Sequence, residues 1–183
     1  MQENPGQPSI EFQPLLEGEN LLVRPLRADD FDALYAAASD PLIWEQHPSP
    51  LRYQRPVFEK EFFQGALVSG SAFVVIDKST GKIIGSSRYY DWNSMQREIA
   101  IGFTFLARSH WGDGSNRELK CLMLEHAFRS ADVVWFHIGR TNWRSRKAVE
   151  KIGAVFSHEN THEINGVVRD SAFYLIRPGM QRC

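Results

Sequence analysis

A chain of 183 residues with 43 % hydrophobic content is long enough for one core of ordinary size and short for two domains. Its 21 Lys and Arg against 22 Asp and Glu leave a net charge of −1, which removes long-range attraction to nucleic acid or to an anionic membrane, so any phosphate site must be local. No apolar run approaches the ~20 residues of a membrane span, the opening MQENPGQPSIEFQP is too polar for a signal peptide, and Cys121 and Cys183 form neither a metal-ligand spacing nor a disulfide framework. The expectation is a cytoplasmic protein with a flexible arm over residues 1–14 and one domain over residues 15–183.

In chain order, NLLVRPL (20–26) alternates apolar and polar residues and predicts a first strand. Ala28-Asp29-Asp30 opens a helix with Phe31, Leu34, Tyr35 and Ala38 at helical spacing, ending near Asp40-Pro41. PLIWEQHPSPLRYQRP carries four prolines and reads as a loop long enough to suggest function. A second helix starts near Val57, with Phe58, Phe62 and Ala66 on one stripe. AFVVID (72–77) and KIIGSSRYYDW (82–92) flank a glycine-containing turn and predict a hairpin, and REIAIGFTFLA (97–107) predicts the next strand. After HWGDGSN comes a helix from about Asn116 to Ser130, then the strand VVWFHIG (133–139) and a short helix from Asn142 to Ile152. Gly153 stands where a left-handed helix cap belongs. AVFSHENTHEI and VVRDSAFYLI flank Asn165-Gly166, the strongest short-range hairpin signal in the chain.

The turn WGDGSN is the point where chemistry enters. A helix N-terminus exposes up to four unpaired N–H groups and about half a positive charge, and a glycine-rich turn leading into it lets an anion approach the backbone. Taken with the element order, with NWRSRKAVEKIGA, and with DPLIWEQHP, GFTFLARSHWGDGSNRELKCLMLEHAF and RDSAFYLI, this turn resembles the GNAT superfamily of acetyl-CoA-dependent N-acetyltransferases. The likeness extends over about residues 15–177 and is greatest to the ribosomal-protein-alanine N-acetyltransferase branch.

That resemblance implies a single α/β (α+β) domain: a mixed, mostly antiparallel twisted sheet of about six or seven strands, about four flanking helices, and a splayed parallel strand pair holding the cofactor. It implies that the pyrophosphate of acetyl-CoA meets the backbone amides of Gly112, Asp113, Gly114, Ser115 and Asn116. Trp111 stands where the superfamily usually has Arg or Gln, and the Asp113 carboxylate beside a phosphate site weakens binding unless it faces away. An oxyanion donor is expected from the main chain between Phe103 and Leu106, with Phe105 and Leu106 along the cofactor. Asn142 would touch the pantetheine arm and Ser145 would protonate the leaving thiolate. Capping accounts equally well for both residues taken alone.

Amide formation also needs a neutral amine. An α-amino group with a pKa near 8 is about one-tenth neutral at pH 7, a lysine near 10.4 only about four parts in ten thousand. Glu98, fourteen residues before Gly112, resembles the base glutamate of the superfamily's histone-acetylating branch; a solvated strand-end carboxylate is its other reading. His47 and His137 are candidates for the amine pocket, and the remaining histidines read as surface or packing. Arg140, Arg144, Arg146, Lys147 and Lys151 make a basic patch, a solvated helix face unless one or two reach the 3′-phosphate. The expected activity is direct acetyl transfer in a ternary complex to a primary amine, either a protein N-terminus or a small molecule, without metal, nucleic acid or membrane. A homodimer is compatible with the resemblance. The alternative is a non-catalytic CoA-binding sensor or assembly module on the same fold.

Overall fold

The computed structural model describes residues 9–164 and 167–183. Eight strands form one sheet: β1 (Leu16–Glu17), β2 (Leu21–Pro25), β3 (Ala72–Asp77), β4 (Lys82–Asn93), β5 (Glu98–Leu106), β6 (Val133–Gly139), β7 (Val155–Ile164) and β8 (Val167–Ile176). Their order is β1-β2-β3-β4-β5-β6-β8-β7. The count exceeds the expected six or seven because β1 has only two residues, too few to show a period of two. Every neighbouring pair is antiparallel except β5 and β6. The Asn165-Gly166 turn and residues 1–8 lie outside the described residues.

Helices cover both faces. On one side lie α1 (Phe31–Ala38) and a helical segment built of α2 (Arg55–Phe58), a π-helical turn (Glu59–Phe63) and α3 (Gln64–Val68). Phe58, Phe62 and Ala66 are buried there with Leu34, Trp44, Val74 and Phe105. On the other side α4 (Ser115–Ala127) and α5 (Trp143–Lys151) bury Leu119, Met123, Ala127, Val149 and Ile152 against Tyr89, Ile99, Ile101 and Phe136. The strands alternate between the two clusters, so the sheet separates two cores. The proline-rich segment after α1 contains two 3₁₀ turns, Pro41–Ile43 and Pro50–Tyr53. Among the described residues no helix is long and apolar enough to cross a membrane.

Several local bonds fix α4. Glu118 accepts hydrogen bonds from the N–H groups of Asn20 (2.8 Å) and Leu21 (3.0 Å) and from the Asn20 side chain, which pins the first turn of the helix to the β1–β2 turn. Ser9 to Pro14, part of the segment expected to be flexible, lie against the domain: Ile10 is buried, Ser130 donates to the Ser9 carbonyl, and His126 Nε2 lies 2.8 Å from the Glu11 carbonyl. Gly153 has φ +99°, and a Cβ there would strike the Met180 carbonyl, so the helix cap and the crossing tail both require glycine.

The cysteines depart from expectation. Cys121, one and a half turns into α4, is bonded to Cys183, with the two Cα atoms 5.5 Å apart. Their separation of 62 positions hid the pair, because a bridge between a helix and a distant tail leaves no local spacing signal. The tail is also held by Arg182 N–H donating to Ile152 and by Arg117 donating to the Arg182 carbonyl. Closing a loop of this length restricts the unfolded chain by about 4 kcal/mol in the loop-entropy description. Urea unfolding with and without dithiothreitol should show a loss of that order, and a Cys121→Ser/Cys183→Ser double variant should be insensitive to the reductant.

Candidate active site

The site begins with a pair of strands that separate. Parallel pairing of β5 with β6 runs through Glu98↔Val133, Ile99↔Val134 and Ala100↔Trp135 and then stops. From Ile101 to Leu106 and from Phe136 to Gly139 the facing edges diverge, leaving main-chain groups open to a cleft. β5 is deflected by a bulge: Ser86 pairs with Phe105 and Arg88 with Gly102, so Ser87 alone opposes Phe103 and Thr104. Phe103 sits at φ +51°, a left-handed conformation that costs a bulky side chain on the order of 1–2 kcal/mol. The cleft reaches both faces of the sheet.

At the end of β5, Trp111 donates from Nε1 to the Leu106 carbonyl (3.1 Å), and the Arg144 guanidinium lies 4.2 Å over its ring. Trp111 is therefore a strut holding the turn to β5 and to α5. Gly112 (φ +82°) and Gly114 (φ +96°) are left-handed, and a Cβ at either would meet nothing within 4 Å. Asp113 folds back to accept from Ser115 N–H at 2.8 Å. Its carboxylate thus caps α4 and takes one donor out of the turn. Among the described residues no acceptor is found for the N–H groups of Gly112, Asp113, Gly114, Asn116 or Arg117. Arg117, Arg144, Lys147, Lys151 and Arg182 line this half of the cleft. Open donors at a helix N-terminus ringed by cations suit a diphosphate.

Asn142 caps α5, accepting from Ser145 N–H at 3.1 Å, and both residues line the cleft beside Phe105 and Leu106. The expected basic patch divides: Arg146 bonds Tyr174 and Glu159, Arg140 faces Glu159, and only Arg144, Lys147 and Lys151 turn toward the cleft. Beneath the gap, Lys120 is 4 % exposed and donates to Thr104 Oγ1 at 2.6 Å, which lies 2.8 Å from Ser87 Oγ. Burial pulls its ammonium down to about 7.

On the opposite face of the sheet His137 Nδ1 lies 4.0 Å from Asp91 Oδ2, and its ring meets Tyr90 edge-on and Phe173 at 4.4 Å. His47 and Arg52, from the proline-rich segment, line the same half of the cleft.

Residues 20–155 match the acetyltransferase (GNAT) domain. The chain belongs to the GNAT acetyltransferase family. It is an acyltransferase of a family that uses acetyl-CoA. No curated protein matches it. Among solved structures it is similar in fold to a GCN5-related N-acetyltransferase from Brucella melitensis (22 % identity, 94 % of this chain and 83 % of that one, TM-score 0.79). It is also similar to Mycobacterium smegmatis RimJ in complex with CoA-disulfide (18 %, 86 % and 82 %, 0.66) and to Vibrio cholerae spermidine N-acetyltransferase in complex with CoA and spermine (20 %, 88 % and 97 %, 0.66).

Within this GNAT cleft the structure brings together Phe105, Leu106, Trp111, Gly112, Gly114, Asn116, Asn142 and Ser145; Asp113 and Ser115 sit in the same turn bonded to each other. It does not bring Glu98 there. Glu98 lies at the opposite end of β5, where Trp135 Nε1 donates to its carboxylate at 3.1 Å, and it does not line the cleft. Trp44 is 2 % exposed, donates to the Ala38 carbonyl and anchors the aromatic cluster at the edge of the cleft, while Glu45 pairs with Arg144.

Lys120, Arg88 and the His137–Asp91 pair escaped the sequence reading. Lys120 carried a visible signal, since it interrupts the apolar stripe of Leu119, Met123 and Ala127. The folded lysine titrates near 7 and an unfolded one near 10.4, so between those values the unfolded chain holds more protons and stability rises with pH. Urea denaturation from pH 7 to 10 should show the protein gaining about 3 kcal/mol over a Lys120→Met variant, in which that rise is absent.

Proposed function

We propose that this GNAT protein moves an acetyl group from acetyl-CoA to a primary amine by direct transfer, with both substrates in the cleft at once. The observation that carries the reading is the divergence of β5 from β6 after Ala100, because it joins an anion-holding turn on one face to a histidine-lined pocket on the other. Acetyl-CoA supplies the activated thioester. The amides of Gly112, Gly114 and Asn116 hold its diphosphate, while Trp111, Asp113 and Ser115 keep the turn in shape. Main-chain groups of β5 from Phe103 to Leu106 face the gap and offer the oxyanion donor, and Asn142 steadies the pantetheine. Ser145 donates its hydroxyl proton to the leaving sulfur.

His137, whose Nδ1 lies 4.0 Å from the Asp91 carboxylate, takes the proton from the amine, in place of Glu98, which is engaged with Trp135. The acceptor is either a protein N-terminal amine, as the resemblance to the ribosomal-protein-alanine branch implies, or a small-molecule amine.

Thiol release from acetyl-CoA should be measured against peptides, amino acids, polyamines and aminoglycosides. His137→Gln should lower turnover by about 10²- to 10⁴-fold and flatten the pH profile, whereas Glu98→Gln should stay within about two-fold of wild type. The reverse ranking would return the base role to Glu98. Gly114→Val forces a β-branched residue into left-handed backbone at the open turn, and its CoA affinity by titration calorimetry should fall at least about ten-fold. Wild-type affinity in that variant would move the diphosphate elsewhere.

A further inference from the structure

Arg88 lies in the middle of β4, opposite Ala72 on one side and Gly102 on the other, and is 8 % exposed. Its guanidinium carbon lies 4.1 Å over the Phe103 ring. Among the described residues its guanidinium makes no hydrogen bond and no ion pair, and Nε is buried without a partner. Burial pulls the group down to about 10, with no carboxylate near enough to oppose that fall. A buried cation left in this state is costly, and proteins ordinarily pair it or let it meet a ligand.

Its place in the cleft is specific. Arg88, Phe103, Tyr90 and His137 form one wall: Tyr90 meets Phe103 edge-on at 5.3 Å and His137 edge-on at 5.5 Å. This wall is on the His137 face of the sheet, remote in topology from the α4 turn that suits a diphosphate. Arg52 adds a second guanidinium to the same half, stacked over Trp44 and Phe62. The two carboxylates of the cleft wall each lie beside a basic side chain: Glu61 is 3.9 Å from Arg52, and Asp91 is 4.0 Å from His137. A polycationic acceptor would thus meet arginines where it needs acids.

Building on the acetyl-transfer reading, we infer that the acceptor is a small amine that carries a carboxylate, and that Arg88 binds this carboxylate while the amine faces His137. A fork of N–H donors and a carboxylate match in shape and charge, and binding would supply the partner the folded protein lacks. The preference follows from physics of the empty pocket: an amine without the carboxylate leaves Arg88 buried and unpaired.

The experiment compares matched pairs on the full chain. Glycine, longer ω-amino acids and L-α-amino acids are each set against the alkylamine that lacks the carboxylate. Thiol release gives kcat/KM, and thermal shift of CoA-saturated protein reads binding without turnover. In the wild type at least one amino acid should exceed its alkylamine by about 100-fold in kcat/KM, and it alone should raise the melting temperature. In Arg88→Met that ratio should collapse to within a few-fold, with Arg88→Lys between, each variant being checked for folding by its CoA titration. Equal use of acids and alkylamines by the wild type, or a preference that survives in Arg88→Met, overturns the carboxylate site while leaving acetyl transfer standing. If no amine releases thiol, acetyl transfer fails, and the thermal-shift comparison still decides whether Arg88 holds a carboxylate.

Discussion

Three residue pairs hold the architecture of this site. β5 and β6 are joined at Glu98–Ala100 and Val133–Trp135 and nowhere beyond, so the sheet is continuous at one end and open at the other. A parallel pair cannot be released in this way without leaving unpaired main-chain donors and acceptors, which are expensive when buried. The cleft resolves that cost by keeping those groups accessible to ligand. The left-handed Phe103 and the bulge beside Ser87 turn β5 away from its neighbour, and Trp111 ties the far end of the strand to the turn that opens α4. The gap follows from that deflection, and the glycine turn and the helix N-terminus lie at its open end.

Electrostatics in the cleft differs sharply from that of the whole chain. A net charge of −1 predicts no attraction for anions, yet nine Lys and Arg line the cleft against two carboxylates, Glu61 and Asp91. Three of these cations, Arg52, Arg88 and Lys120, are buried within the fold. Lys120 has a hydroxyl partner, Thr104, and loses its charge near neutrality; Arg52 lies over Trp44 and Phe62 beside Glu61; among the described residues the Arg88 guanidinium has only an aromatic face beneath it. Buried in this way, cations cost the protein stability, and interior positions retain such groups at functional sites more often than by accident.

Much of this was legible from the residues. Local signals placed the strands and helices within a few positions, because Phe58, Phe62 and Ala66 or Leu119, Met123 and Ala127 repeat at a helical period and KSTG marks its hairpin. The glycine turn was readable because left-handed backbone selects glycine. What stayed hidden depends on distance along the chain. Cys121 and Cys183 meet only after α4 and the tail are placed, and Asp91 meets His137 only across a sheet whose order is set by all the strands between. Glu98 is the opposite case: its spacing to Gly112 resembles that of a base, and only the folded chain shows its side chain beside Trp135 at the closed end of the strand pair.

The sheet separates two cores. The half of the cleft at the glycine turn rests on α4, α5 and the cluster around Tyr89, Ile99 and Met123, while the half lined by Arg52 and His47 rests on the cluster around Trp44, Phe58 and Phe62. Changes in groups that share no contacts combine almost additively. Evolution can therefore repack one side of the sheet while the glycine turn and its helix on the other are inherited intact, and a laboratory library confined to the first side would vary one half of the cleft at little risk to the other.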